Sequence, residues 1–239
     1  MAETLPIHHS IRVRADLSDL SLDVTLELRS PWTVLFGPSG SGKSSLLRAL
    51  GGLMPKAAVR FQRGTTELSA LPPQRRALSY APQSPSLFPH MSVMQNVRFS
   101  MEAHGNPPRK STLADDAASI FRLHALRDRR PQELSGGEQK RVSLARAYAQ
   151  PGAALLLLDE PFAGFDRGLR NELLPELLSG LSKRQLPVLS VTHDVDEAVL
   201  LNADVVRIES GKVIAQGPAL EVLALEREQM LTSLGQPGA

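Results

Sequence analysis

The sequence predicts an α/β fold: a mostly parallel sheet core, an antiparallel β part at the N-terminus and an inserted α-helical subdomain. Three observations carry this. Short apolar runs at Thr33–Phe36, Ala153–Leu158 and Pro187–Val191 alternate with helical patterns, as in sheets covered by helices on both faces. Ahead of them, Ile11, Val13, Leu17, Leu20, Leu22, Val24, Leu26 and Leu28 alternate loosely with polar residues, which reads as two half-buried strands. From about Ser92 to Tyr148 the pattern turns mainly helical.

Each element follows in order. Thr33–Phe36 is an apolar strand running straight into a glycine-rich turn, and Leu46, Leu47 and Leu50 give Ser44–Leu53 a helical pattern. Residues 55–75 read as strand and turn, and Leu78–Pro82 as a short strand. Gly105-Asn106-Pro107-Pro108 interrupts the helical region as a loop. Leu169–Leu181 is helical in pattern, with Pro175 expected to kink or divide it. Val205–Glu209, Gly211-Lys212 and Val213–Ala215 read as a hairpin, and Ala219–Leu234 as a terminal helix. The expected organisation is one domain over 1–239, with a core at about 1–83 and 152–239 and a helical subdomain at about 84–151.

Composition excludes several function classes. Apolar residues make up 42% and charged residues 22%, ordinary values for a globular protein. Without cysteine there are no disulfides, thiolate metal sites or cysteine nucleophiles. No apolar run approaches the roughly 20 residues that span a bilayer, and Met1–Ser10 lacks a signal pattern. The chain is therefore expected in the cytosol, with any membrane role supplied by a partner. Net charge is +2, arginines are dispersed, and two tyrosines and one tryptophan offer no base-stacking platform. No nucleic-acid partner is expected.

Gly37-Pro38-Ser39-Gly40-Ser41-Gly42-Lys43-Ser44 matches the phosphate-binding loop pattern in full, and Ser45 continues it into the helix. Glycines let the backbone wrap phosphates with its N–H groups inward, and the following helix presents its positive end. Lys43 can reach the β- and γ-phosphates, and the Ser44 hydroxyl can ligate Mg2+. Leu155–Leu158 followed by Asp159-Glu160 places two carboxylates where a buried strand ends. Asp159 would hold Mg2+ and Glu160 would accept a proton from the attacking water. His193 follows another apolar strand and could bond the γ-phosphate or position that water.

Leu134-Ser135-Gly136-Gly137-Glu138-Gln139 resembles the signature motif of ABC ATPases, and Gln83 resembles their Q-loop glutamine. With the phosphate loop, Asp159-Glu160 and His193, the order is similar to an ABC nucleotide-binding domain from end to end. The resemblance implies a P-loop NTPase core of the RecA-like type. It implies that Gln83 acts as both a catalytic and a metal-site residue. Ser135 caps a helix whose Gly136-Gly137 leave backbone N–H groups bare, a second anion site. In the family this site closes over the γ-phosphate held by a second subunit, which implies a dimer, with identical chains the simplest case. Asp166, in Phe162-Ala163-Gly164-Phe165-Asp166, matches the aspartate at that interface, although the family more often shows Ser-Ala-Leu-Asp. One departure stands out: residues 1–31 hold no Phe, Tyr or Trp, whereas the family stacks an aromatic on adenine. Leu17, Leu20 or Arg12 would take that place, and discrimination between ATP and GTP is expected to be modest.

Leu71–Arg76, Leu87-Phe88-Pro89-His90 and Glu172–Pro175 are similar to stretches of bacterial importer ATPases, the molybdate branch in particular. Importers of sulfate, polyamines, sugars and iron share the Leu-Phe-Pro-His segment. The resemblance implies transmembrane permease subunits as partners, indirectly a substrate-binding protein, and a peripheral location on the cytoplasmic face of the inner membrane. Many relatives carry an extra C-terminal regulatory domain, which this chain is expected to lack. A soluble ABC ATPase of DNA repair or chromosome organisation would carry long coiled coils between phosphate loop and signature. No sustained heptads occur there. A translation-type factor joins two ATPase domains, and an exporter half fuses a membrane domain to its ATPase. Neither fits a chain with one phosphate loop and no apolar span.

Overall fold

The computed structural model describes residues 8–102 and 112–235. In chain order its first elements are β1 (His9–Asp16), β2 (Ser21–Leu28), β3 (Trp32–Phe36), α1 (Lys43–Leu50), β4 (Ala58–Arg63), β5 (Thr66–Glu67), β6 (Leu78–Ala81), α2 (Val93–Glu102) and α3 (Thr112–Ile120). There follow α4 (Gly136–Tyr148), β7 (Leu155–Asp159), α5 (Arg167–Arg184), β8 (Val188–Val191), α6 (Val195–Leu200), β9 (Asp204–Glu209), β10 (Lys212–Pro218), α7 (Ala219–Val222) and α8 (Ala224–Gly235). The expected loop at Gly105–Pro108 lies outside the described residues. Two compact units result: one takes the described residues up to Pro73 and those from Leu189 onward, the other Gln74–Val188.

In the first unit, strict alternation makes the antiparallel sheet. Ile11 and Val13 of β1 are fully buried and pair with Leu26 and Val24 of β2. The strand order is β2-β1-β4-β5, and the stacked rings of His9 and Phe61 join β1 to β4. A second sheet places β10, β9, β3 and β8 side by side. β3 runs parallel to β9, whereas β9 and β10 form an antiparallel hairpin. Every residue of β3 is buried, as a strand covered on both faces requires. Trp32 donates from Nε1 to Ser190 Oγ at 2.9 Å, which satisfies its one polar atom inside the core.

The turn of that hairpin is Ser210-Gly211, both with positive φ (46° and 76°), the conformation of a tight two-residue turn. A β-carbon on Gly211 would fall 2.1 Å from the Ser21 carbonyl oxygen. The Gly211 N–H donates to the Ser41 carbonyl at 3.2 Å, so the turn buttresses the glycine-rich loop after β3.

In the second unit β6 and β7 pair in parallel, Leu78 opposite Leu155 and Ala81 opposite Leu158. α4 lies against β6, its Ala147 carbonyl accepting from Ser79 Oγ at 2.7 Å. α2, α3 and α5 pack around it, with Phe121, Leu123 and Met101 fully buried.

Three local expectations differ from the structure. α1 stops at Leu50, because Gly51 and Gly52 follow and Gly52 takes the left-handed conformation that ends helices. α5 runs unbroken through Pro175. Its buried residues Leu173, Leu174, Leu177 and Leu181 lie on both sides of the proline, and their packing outweighs one lost backbone bond. The terminal helix is two helices, because the fully buried Leu223 sits between α7 and α8 with non-helical backbone.

Candidate functional site

The phosphate-loop pattern forms a backbone cradle at the end of β3, within the first unit. Gly37, Gly40 and Gly42 all have positive φ (148°, 79° and 99°), which L side chains rarely adopt. At two of them the surroundings also forbid a side chain. A β-carbon at Gly37 would sit 2.1 Å from the Ile208 carbonyl oxygen, and one at Gly42 would sit 2.4 Å from Leu22 Cδ2. Gly37→Ala is therefore expected to lower stability by about 1–3 kcal/mol and to weaken nucleotide binding. Chemical denaturation and nucleotide titration would read the two effects, and an unchanged melt would remove this account of Gly37.

Lys43 opens α1 and is buried, 9% exposed. Its ammonium donates to the carbonyls of Gly37 (2.9 Å) and Pro38 (2.6 Å) and to Ser41 Oγ (3.2 Å). The loop thus curls around its own cation. No acidic residue stands in the first turn of α1, so the positive helix end carries no internal counter-charge there. Ser44 is the next residue of the same turn. Of the proposed adenine-side residues, Leu20 lies against this loop: its Cδ2 is 3.0 Å from where a Gly42 β-carbon would be. Arg12 is exposed on β1, paired with Thr25 and Arg60.

His193 follows β8 as an exposed residue of the turn into α6. That turn is built by its neighbours. Buried Thr192 donates from Oγ1 to Glu197 Oε2 at 3.1 Å and accepts from the Asp194 N–H, and Asp194 caps α6 by accepting from the Glu197 N–H.

In the second unit Asp159 is the last residue of β7 and is buried, 4% exposed. Tyr80 Oη lies 3.5 Å from its Oδ2. Glu160 follows with φ 48°. A left-handed, non-glycine residue costs on the order of 1–2 kcal/mol and commonly marks a functional turn. The Gln83 amide donates from Nε2 to Glu160 Oε2 at 2.8 Å, which brings these two residues together. Sequence reasoning missed Lys140, which donates to the Gln83 carbonyl at 2.8 Å. A lysine two residues past a capping box carries no signal of this contact.

Ser135 caps α4 as expected, in a reciprocal box with Glu138. Ser135 Oγ accepts from the Glu138 N–H at 3.3 Å, and Glu138 Oε2 accepts from the Ser135 N–H (2.8 Å) and hydroxyl (2.9 Å). These bonds, the backbone one first, hold the Glu138 carboxyl below its ordinary range. Glu138 thus serves the cap itself. A β-carbon at Gly136 or Gly137 would meet nothing within 4 Å. Glycine in a helix costs up to about 1 kcal/mol relative to alanine, and packing among the described residues does not require it here. Asp166 is the N-cap of α5 and accepts from the Leu169 N–H at 2.8 Å. The sequence reading did not anticipate that role.

Among the described residues no group of three or more His, Asp or Glu side chains could hold a metal by itself. Within the second unit, Gln83 and Asp159 are oxygen donors with one carboxylate between them, the kind of ligand chemistry that suits Mg2+, which is usually held by one or two carboxylates together with substrate phosphates. No helix of the described residues is long and apolar enough to cross a membrane.

A family model described as ABC transporter matches residues 17–163, more than half of the chain. This chain belongs to the ABC transporter family. One relative, the molybdenum import ATP-binding protein ModC of Methylococcus capsulatus, is 41% identical over 86% of this ABC chain and 58% of its own length. The molybdate/tungstate import ATP-binding protein WtpC of Archaeoglobus fulgidus is 34% identical over 92% of both chains. The chain thus spans about three fifths of the first of these relatives and nearly all of the second. A solved bacterial Atm1-family ABC exporter with ATP bound matches the fold at TM-score 0.79 and 20% identity, over 98% of this chain and 43% of that one.

Proposed function

We propose that this ABC protein is the ATP-binding and hydrolysing subunit of an importer for molybdate, tungstate or a similar oxyanion. One observation carries the ATPase reading: of the two glycine-rich helix starts at Gly37–Gly42 and Gly136-Gly137, the first needs its glycines for packing among the described residues and the second does not. Gly37 and Gly42 are confined by neighbouring backbone and side chains, whereas Gly136 and Gly137 face open space. The second end is therefore kept bare for something outside the chain. A phosphate bound to the Gly37–Ser45 loop of a second copy suits it.

In this reading Lys43 and the loop amides hold the phosphates, and Ser44, Asp159 and Gln83 hold Mg2+, which neutralises phosphate charge. Glu160 takes the proton of the attacking water, and His193 donates to the phosphate or steers that water. Ser135, Gly136 and Gly137 close from the partner, with Glu138 maintaining the cap and Asp166 lying at the same interface. Only the closed pair completes both phosphate sites, so ATP favours closure and hydrolysis favours opening. The single-domain organisation, with its core and helical subdomain, would serve this cycle. Membrane permease subunits would receive the motion at the segment after Gln83, where Phe88, His90 and Phe99 form an aromatic cluster with Phe99 partly exposed. A substrate-binding protein would deliver the cargo, and the chain would sit on the cytoplasmic face.

The cargo reading rests on the import relatives. Cells lacking this chain are expected to lose high-affinity molybdate or tungstate uptake, measured as metal content at limiting supply, and to regain it on complementation. Unchanged uptake of both, with loss of sulfate, sugar or iron uptake instead, would reassign the cargo.

A further inference from the structure

We propose that Lys140 is a positioning residue: it ties the helix bearing Ser135–Glu138 to the Gln83–Glu160 pair, so that hydrolysis depends on where that helix end lies. Lys140 is only 7% exposed. Its Nζ donates to the Gln83 carbonyl at 2.8 Å, and the Gln83 side chain donates onward to Glu160 Oε2 at 2.8 Å. Gln83 is thus held twice, by α4 through its backbone and by the carboxylate after β7 through its amide. Separating a buried ammonium from an acceptor that it bonds is costly. The bond is charge-assisted, the stronger kind. Lys140 and the Gln83 peptide therefore move as one.

A second tie acts on the same segment. Arg146, also on α4, donates to the Ser86 carbonyl at 2.7 Å and lies over the Phe88 ring, 5.4 Å from its centre. Burial disfavours the charge of Arg146, and the carbonyl and ring face provide partial compensation. α4 therefore grips the 83–88 segment at both ends. A displacement of α4 when Gly136 and Gly137 meet an anion is carried by Lys140 to Gln83 and from there to Glu160. This inference rests on the proposed role of Glu160 as base.

The test is a double-mutant cycle on the purified full chain. Lys140→Met keeps the stem and removes the donor. It is expected to lower kcat about tenfold while the KM for ATP stays within about twofold, since the Gly37–Ser45 loop is untouched. Lys140→Arg retains a charged donor and is expected to restore most of the turnover. In a Gln83→Ala background, where the side chain reaching Glu160 is gone, Lys140→Met is expected to change kcat by less than about twofold further. An equal loss in both backgrounds, or a raised KM at unchanged kcat, overturns the tie. Should the methionine variant fold poorly, Lys140→Gln is read through the same cycle. Wild-type turnover in Glu160→Gln would reject the base assignment instead, while the cycle still reports separately whether Lys140 acts through Gln83.

Discussion

Glu160→Gln is expected to cut ATP hydrolysis by about 10²–10⁴-fold, the usual contribution of a positioned general base, while ATP binding persists. The amide occupies the carboxylate's volume and can still meet Gln83, so the turn with its left-handed φ of 48° is retained. On the proposed assignment, what it lacks is a site for the proton of the attacking water. In the proposed cycle hydrolysis reopens the pair, so ATP should then accumulate a long-lived dimer, visible as a shift in sedimentation or elution that is absent without nucleotide. Turnover at the wild-type rate would take Glu160 out of the base role. Loss of turnover without dimer accumulation would separate hydrolysis from the proposed closure.

Gly137→Asp is expected to separate stability from activity. A β-carbon there meets nothing within 4 Å, and an acidic residue in the first turn of a helix is favourable. Replacing a helical glycine also removes unfolded-state freedom, so the fold is expected to gain up to about 1 kcal/mol. In the proposed closed pair the new carboxylate would nonetheless face the partner's phosphate. Hydrolysis and ATP-induced dimer formation are expected to fall by more than about a hundredfold, because an unpaired like charge in a desolvated site costs several kcal/mol. Nucleotide binding to the isolated chain, which uses the Gly37–Ser45 loop, is expected to hold. A variant that hydrolyses normally would show that the bare end of α4 serves something other than phosphate.

The legible parts of the fold are those with a strong local period or a demanding backbone. Alternation at Ile11–Leu28 announces β1 and β2 because side chains on a strand take turns between faces. The unbroken apolar run before Asp159 announces a buried strand, and the glycine spacing before Lys43 announces the phosphate loop. Where reading failed, a distant contact outweighed a local preference. Pro175 does not divide α5, because leucines on either side of it are buried together. Leu223 splits the terminal helix because it is drawn fully into the core.

By itself the sequence determined which loop carries the glycine spacing of a phosphate cradle, which carboxylates close a buried strand, and where a second glycine-rich helix start lies. It could do so because each of these depends on spacing along one strand, loop or helix. Only the tertiary structure decided why each glycine is there and which residues act on which. Gly37 is required by the Ile208 carbonyl and Gly42 by Leu22, whereas Gly136 and Gly137 have no such neighbour among the described residues. Lys140 reaches Gln83, and Gln83 reaches Glu160, although they are far apart along the chain. Those relations are distances between separate elements, and packing alone sets them.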